Sequence, residues 1–218
     1  MDFLLSFGKG LLLGGGLCVL GIILDNTVCS ESLNKIGDYE LYNQGIQTVK
    51  TNMMVIGPLF YGLVDQFLLS HDSVTIQWIN VLGMLGIHSI CYYMVHFGMH
   101  KYALLIPIHN FHHKFDTILV PSIGNAVSKE EFFLAYMGPF ILGAYVLKPN
   151  EISFVIPIGI IGLLNLMIHC QELEYVPFVK WWVSPKNHIE HHRIRYKHYA
   201  APTLNLDYLL GERSRSGI

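Results

Sequence analysis

Two apolar stretches, 132–147 and 152–170, carry no Asp, Glu, Lys or Arg and are separated only by Lys148-Pro149-Asn150-Glu151. Each stretch approaches the ~20 residues that a helix needs to cross a bilayer. The Pro-Asn pair marks a tight turn, so the segment reads as a helical hairpin through a membrane. A hairpin leaves and re-enters on one side. Whatever precedes residue 132 and whatever follows residue 170 must therefore share a face.

The rest of the chain agrees with a membrane setting. Of its 218 residues 52% are apolar and only 14% charged, where a soluble domain has about a quarter charged. Net charge is −2 and no block of Lys and Arg occurs, which argues against nucleic-acid binding. Further apolar runs cover 3–24, 53–70 and 74–95. Lys9 interrupts the first, leaving 10–24 as its uncharged part, so 3–24 reads as a retained anchor or a re-entrant helix. A cleaved signal peptide fits less well, because Asp2 makes the start acidic and no A-x-A site follows. Gly14-Gly15-Gly16 lacks the strand and spacing of a dinucleotide fingerprint and suits close helix packing. Residues 25–50 read as a solvated polar loop, and Asp65 as a group at depth or at the interface. Residues 101–108 are too short to span, and Pro107 breaks or starts a helix there. The expected fold is an all-α integral membrane bundle of about four to five membrane helices, with a histidine-rich helical cap on the cytosolic face. Residues 1–50 are expected to form an N-terminal anchor or re-entrant helix and a polar loop, and residues 51–218 the main domain.

The four cysteines form no C-x2-C pair, which excludes a zinc ribbon or iron–sulfur site, and they read as reduced packing residues. Histidine is the outlier. Of twelve, eight fall in three clusters: His96 and His100 (H-x3-H), His109, His112 and His113 (H-x2-H-H), then His188, His191 and His192 (H-x2-H-H). On a helix such spacings place the rings on one face. So many imidazoles at a membrane surface need metal ions for their lone pairs, and imidazole suits iron, zinc and copper. His71 and His88, each alone, read as structural. Ten of the fourteen basic residues hold or flank the clusters (Lys101, Lys114, Lys129, Lys180, Lys186, Arg193, Arg195, Lys197, Arg213 and Arg215), which places this face in the cytosol. Glu190, Asn187, Asn110 and Asp116 stand near enough in sequence to accept hydrogen bonds from the rings' second nitrogens.

Taken in order on a hydrophobic chain, the three clusters resemble the fatty acid hydroxylase/sterol desaturase superfamily of integral-membrane di-iron enzymes. The segments IHNFHHKFDTILVP and HHRIRYKHYAAPTLNLDYLLG resemble that family's motifs, and Glu131 falls where it often has an acid. The resemblance covers about residues 53–212. It adds His169 to the ligands, implying nine: His96, His100, His109, His112, His113, His169, His188, His191 and His192. Some members carry a tenth histidine where this chain has Leu173, and Glu172 is a candidate substitute. The first cluster lacks the usual arginine, His198 replaces an asparagine and Leu206 a tryptophan.

The resemblance implies two iron ions, with zinc able to replace them in purified samples, and O2-dependent hydroxylation or desaturation of a sterol, long-chain acyl lipid or sphingolipid. No haem, iron–sulfur or nucleotide motif is present, so electrons would come from a partner, a b-type cytochrome with its reductase. Lys180, Lys186, Arg193, Arg195 and Lys197 could dock it. In a eukaryote the membrane would be the endoplasmic reticulum. The competing readings are a non-enzymatic metal-binding membrane protein and a degenerate member of the same family.

Overall fold

The structure is a computed structural model describing residues 2–200 and 202–211. Arg213 and Arg215, counted above for topology, lie outside the described residues. The helices in chain order are α1 (Phe3–Thr27), α2 (Ser30–Asn34), α3 (Tyr39–Thr51), α4 (Gly57–Phe67), α5 (Trp78–Lys101), α6 (Ile106–Asn110), α7 (Lys129–Glu131), α8 (Gly138–Leu147), α9 (Glu151–Ile168), α10 (Pro185–Ile194) and α11 (Leu206–Leu209). A π-helical turn, Asn52–Ile56, joins α3 to α4, and another, Phe132–Met137, joins α7 to α8. No named strand occurs among the described residues. The fold is an all-α membrane bundle.

Among the described residues, four helical stretches are long and apolar enough to cross a bilayer: Phe3–Thr27, Trp78–Lys101, Lys129–Leu147 and Glu151–Ile168. The chain is thus a multi-pass membrane protein, and side chains such as Leu12, Ile79 and Leu82 stand exposed on its outside. The hairpin forms as expected. Lys148 closes α8 in the left-handed conformation at φ 47°, and Asn150 caps α9 by accepting from the Ser153 N–H at 3.1 Å. The Asn150 amide also donates to the Ser73 and Thr75 carbonyls, fastening this turn to the connection between α4 and α5.

Four expectations need correction. α1 runs unbroken for 25 residues, because Lys9 does not interrupt it. Its ammonium meets the Glu151 carboxylate at 2.6 Å, at the end of the bundle where Ser6 also donates to buried Asp65. Asp25, near the other end of α1, accepts from the Ser122 N–H at 2.9 Å on the histidine side. α1 therefore reaches from one face to the other, and the N-terminus lies opposite the histidines. Secondly, residues 25–50 are largely helical. Asp38 caps α3, whose Leu41, Tyr42, Ile46 and Val49 return at helical spacing and pack on Phe115, Ile118 and Ile123. Thirdly, Asp65 is fully buried against α1 at that same end of the bundle, held by Ser6. Fourthly, Cys29 and Cys170 form a disulfide, whereas Cys18 and Cys91 are free as expected. Burial brings the two sulfurs together between the end of α1 and the residue after His169, a proximity that 141 residues of separation hide.

Candidate metal centre

Three segments converge on the face where α5 ends and α9 exits. His96 and His100 lie on the last turns of α5, His109 closes α6, and His188, His191 and His192 line α10. Pro107 starts α6 and Pro185 starts α10, each where its missing N–H costs no helical hydrogen bond. Ser184 caps α10 by accepting from the Asn187 N–H.

The second cluster departs from the single helical face expected of it. After His109 the chain tightens into a 3-10 turn, His112–Phe115, which rotates successive residues further than an α-helix does. His109 joins His96, His100 and His191, while His112 joins His169, His188 and His192. In each set the ring nitrogens lie within 4.8 Å of one another. The third cluster divides as well: His188 and His192, one turn apart, face one set and His191 the other. His113 sits between the sets, its ring centre 4.6 Å from that of His109, 5.1 Å from His191 and 4.9 Å from His192. All nine sequence-derived site histidines are thereby brought together.

Seven of the nine rings have Nδ1 held from outside. Those of His96, His112, His169 and His191 meet the backbone carbonyls of Tyr199, Ala126, Asn165 and Lys197 at 2.9, 3.3, 2.6 and 2.7 Å. His109 meets Glu131 at 2.8 Å, and His113 and His192 meet one oxygen of Asp116 at 3.1 and 2.7 Å. A carbonyl can only accept, so Nδ1 carries the proton and a neutral ring turns the lone pair of Nε2 inward. His96 Nε2 and His109 Nε2 face each other at 2.9 Å. The Nε2 atoms of His169 and His192 converge on that of His188, at 3.0 and 3.2 Å. The buried Nε2 atoms of His100, His113 and His191 have no hydrogen-bond partner. Lone pairs crowded together in a buried space repel unless a cation takes them up, so the donor set fits metal.

Desolvation, reinforced by neighbouring imidazoles, pushes His109, His112, His188, His191 and His192 well below the usual histidine range. Desolvation brings His169 down to about 4.

Of the four suggested acceptors only Asp116 reaches a ring of the two sets. Arg195, in the left-handed conformation at φ 61°, clamps its other oxygen. Glu190 instead pairs with Lys197 and His198, Asn187 turns back to Ser184, and Asn110 is exposed. Glu172 joins neither set; it accepts from the Ser32 N–H beside the disulfide. Glu131, singled out by resemblance, is the carboxylate on His109. Sequence reasoning missed the carbonyls, since any residue can offer one. It also gave no role to Asp207, which accepts from the Tyr199 and Ala200 N–H groups and so shapes the loop whose carbonyl holds His96. His198 stands at φ 63°, a left-handed position that asparagine and histidine both tolerate better than most residues. Three of the five basic residues considered for docking a carrier, Arg193, Arg195 and Lys197, are already paired within the chain.

A family model described as fatty acid hydroxylase matches residues 81–212, more than half of the chain. Comparison with curated proteins and with solved structures finds no match.

Proposed function

The chain belongs to the fatty acid hydroxylase family, within the fatty acid hydroxylase/sterol desaturase superfamily, and from that premise we propose that it is a non-haem di-iron lipid oxidoreductase. It would use O2 and external electrons to hydroxylate or desaturate a sterol, long-chain acyl lipid or sphingolipid. The single observation that carries the reading is the convergence of the Nε2 atoms, with seven of the nine rings pinned from behind by a carbonyl or carboxylate. Such outer partners fix the tautomer and raise the basicity of a metal-bound imidazole.

In this reading His96, His100, His109 and His191 hold one ion, and His112, His169, His188 and His192 the other, with His113 between them. Iron bound there supplies the reduction of O2 and the removal of hydrogen from an unactivated C–H bond. The chain's part is to gather nine imidazoles in a buried space and to orient seven of them through their Nδ1 atoms. Glu131 fixes His109, Asp116 couples His113 to His192, and burial excludes water. Leu173, where some relatives have a tenth histidine, supports the alternative of a degenerate or non-enzymatic metal-binding protein. The two fourfold sets form without that residue, which favours the enzyme.

Residues 51–218 would be the catalytic domain and 1–50 its anchor. The excess of basic residues on the histidine face supports a cytosolic site, in the endoplasmic reticulum of a eukaryote, served by a b-type cytochrome and its reductase. The test is expression with such a reductase and mass-spectrometric profiling of sterols and acyl lipids. A new hydroxyl or double bond that disappears in His112→Ala is expected. Bound iron without a change in any lipid class would refute the enzyme.

A further inference from the structure

An apolar cavity runs inside the bundle between α1, α4, α8 and α9, walled by side chains such as Leu13, Leu17, Phe60, Val64, Ile158 and Ile161. Its lining extends along α9 from Phe154 to Asn165, which at helical rise is about 16 Å. At the Phe154 end stands Tyr61, whose hydroxyl donates to Glu151 at 2.8 Å. At the other end stand two amides, Asn125 and Asn165, both buried.

The amide pair connects the cavity to the histidines. The Asn165 Nδ2–H group donates to Asn125 Oδ1 at 2.7 Å, and the Asn165 backbone carbonyl accepts from His169 Nδ1 at 2.6 Å. Asn165 Oδ1 has no hydrogen-bond partner although the residue is only 2% exposed. A buried acceptor left open at the end of an apolar cavity is costly to maintain and calls for a donor from the occupant.

We infer that the cavity takes an elongated lipid bearing a hydroxyl or amide N–H, and that this group donates to Asn165 Oδ1. The amide pair is then a specificity and positioning device. One turn of α9 separates Asn165 from His169, so the anchored donor sets which part of the lipid lies beside the His112, His169, His188 and His192 set. Hydrocarbons, ethers and esters of the same length fill the same walls but leave Asn165 Oδ1 unpaired. The inference rests on the lipid-oxidation reading and deepens it by naming the chemistry of the substrate.

The experiment is equilibrium binding of tritiated hexadecan-1-ol and of its methyl ether to the full-length, metal-loaded protein in lipid nanodiscs. The unmodified protein should prefer the alcohol by about tenfold, the scale of one buried hydrogen bond. Asn165→Leu and the smaller change Asn165→Ala should remove that preference while metal content and ether binding persist. Val64→Trp, which fills the cavity far from the histidines, should abolish binding of both ligands. Equal binding of alcohol and ether by the unmodified protein, a preference that survives loss of the Asn165 amide, or binding indifferent to Val64→Trp would each overturn the inference. Lipid oxidation is measured separately. Turnover without an alcohol preference removes this inference and leaves the proposed function, whereas a preference without turnover does the reverse.

Discussion

The two histidine sets use the same ligand type but are held in different ways. His96 and His100 come from adjacent turns of one long helix, and their set is completed by His109 and His191. Its outer acceptors are spread over Tyr199, Lys197 and Glu131, and its member His100 is partly exposed. The other set likewise draws its members, His112, His169, His188 and His192, from three segments, but all four are buried. It adjoins the apolar cavity through Asn165. The contrast leaves one set nearer the surface and the other nearer the apolar cavity.

The contrast can be broken most strongly by removing one ligand from each set. His188→Ala and His191→Ala should each lose one of two metal equivalents by elemental analysis, and lipid oxidation should fall by more than about a hundredfold in both. Retention of both metals in either variant would show that the sets are not separate sites. Changing the outer carboxylates should act more mildly, weakening metal affinity by about 10–100-fold. Asp116→Asn should weaken the cavity-side ion through His192 and disturb His113. Glu131→Gln should weaken only the ion bound by His109. Competition with a graded chelator series distinguishes one weakened site from two.

Acidification offers a further comparison. In the metal-free protein His109, His112, His169, His188, His191 and His192 have folded-state pKa values below the unfolded 6.5, His169 at about 4. Between about pH 4 and 6.5 the unfolded chain therefore binds more protons than the folded one, so stability rises with pH across that window and levels off above it. Chemical denaturation of metal-free protein at pH 5 and pH 7.5 should show the lower midpoint at pH 5. His169→Gln should reduce the difference. The smallest effect on the metal sets is expected from Cys29→Ser. It opens a bond closing a very long loop, worth about 2–4 kcal/mol of stability, but leaves both sets of rings in place. The thermal midpoint should drop with metal content unchanged.

Much of this arrangement was legible because it depends on local pattern. Uncharged runs and the Lys148-Pro149-Asn150-Glu151 turn marked the hairpin, and the spacing of eight histidines marked the site. Resemblance added His169 and Glu131. What the sequence hid depends on long-range packing. The division of His109 from His112 follows from a local change in helix type, and Asp25 and Asp65 looked solvated or interfacial until their partners, Ser122 and Ser6, were in place. Residues 39–51 looked like a loop because their apolar positions are few, yet those few share one helical face. The disulfide joins sites 141 residues apart, and no local signal announces it.

The central claim is that nine imidazoles form two metal sites joined through His113. Its most direct test is metal analysis with Mössbauer spectroscopy on protein produced with iron-57 and purified without chelators. Two high-spin iron ions per chain, with magnetic coupling between them, is the predicted result. A single uncoupled iron per chain, or none at full folding, would contradict it.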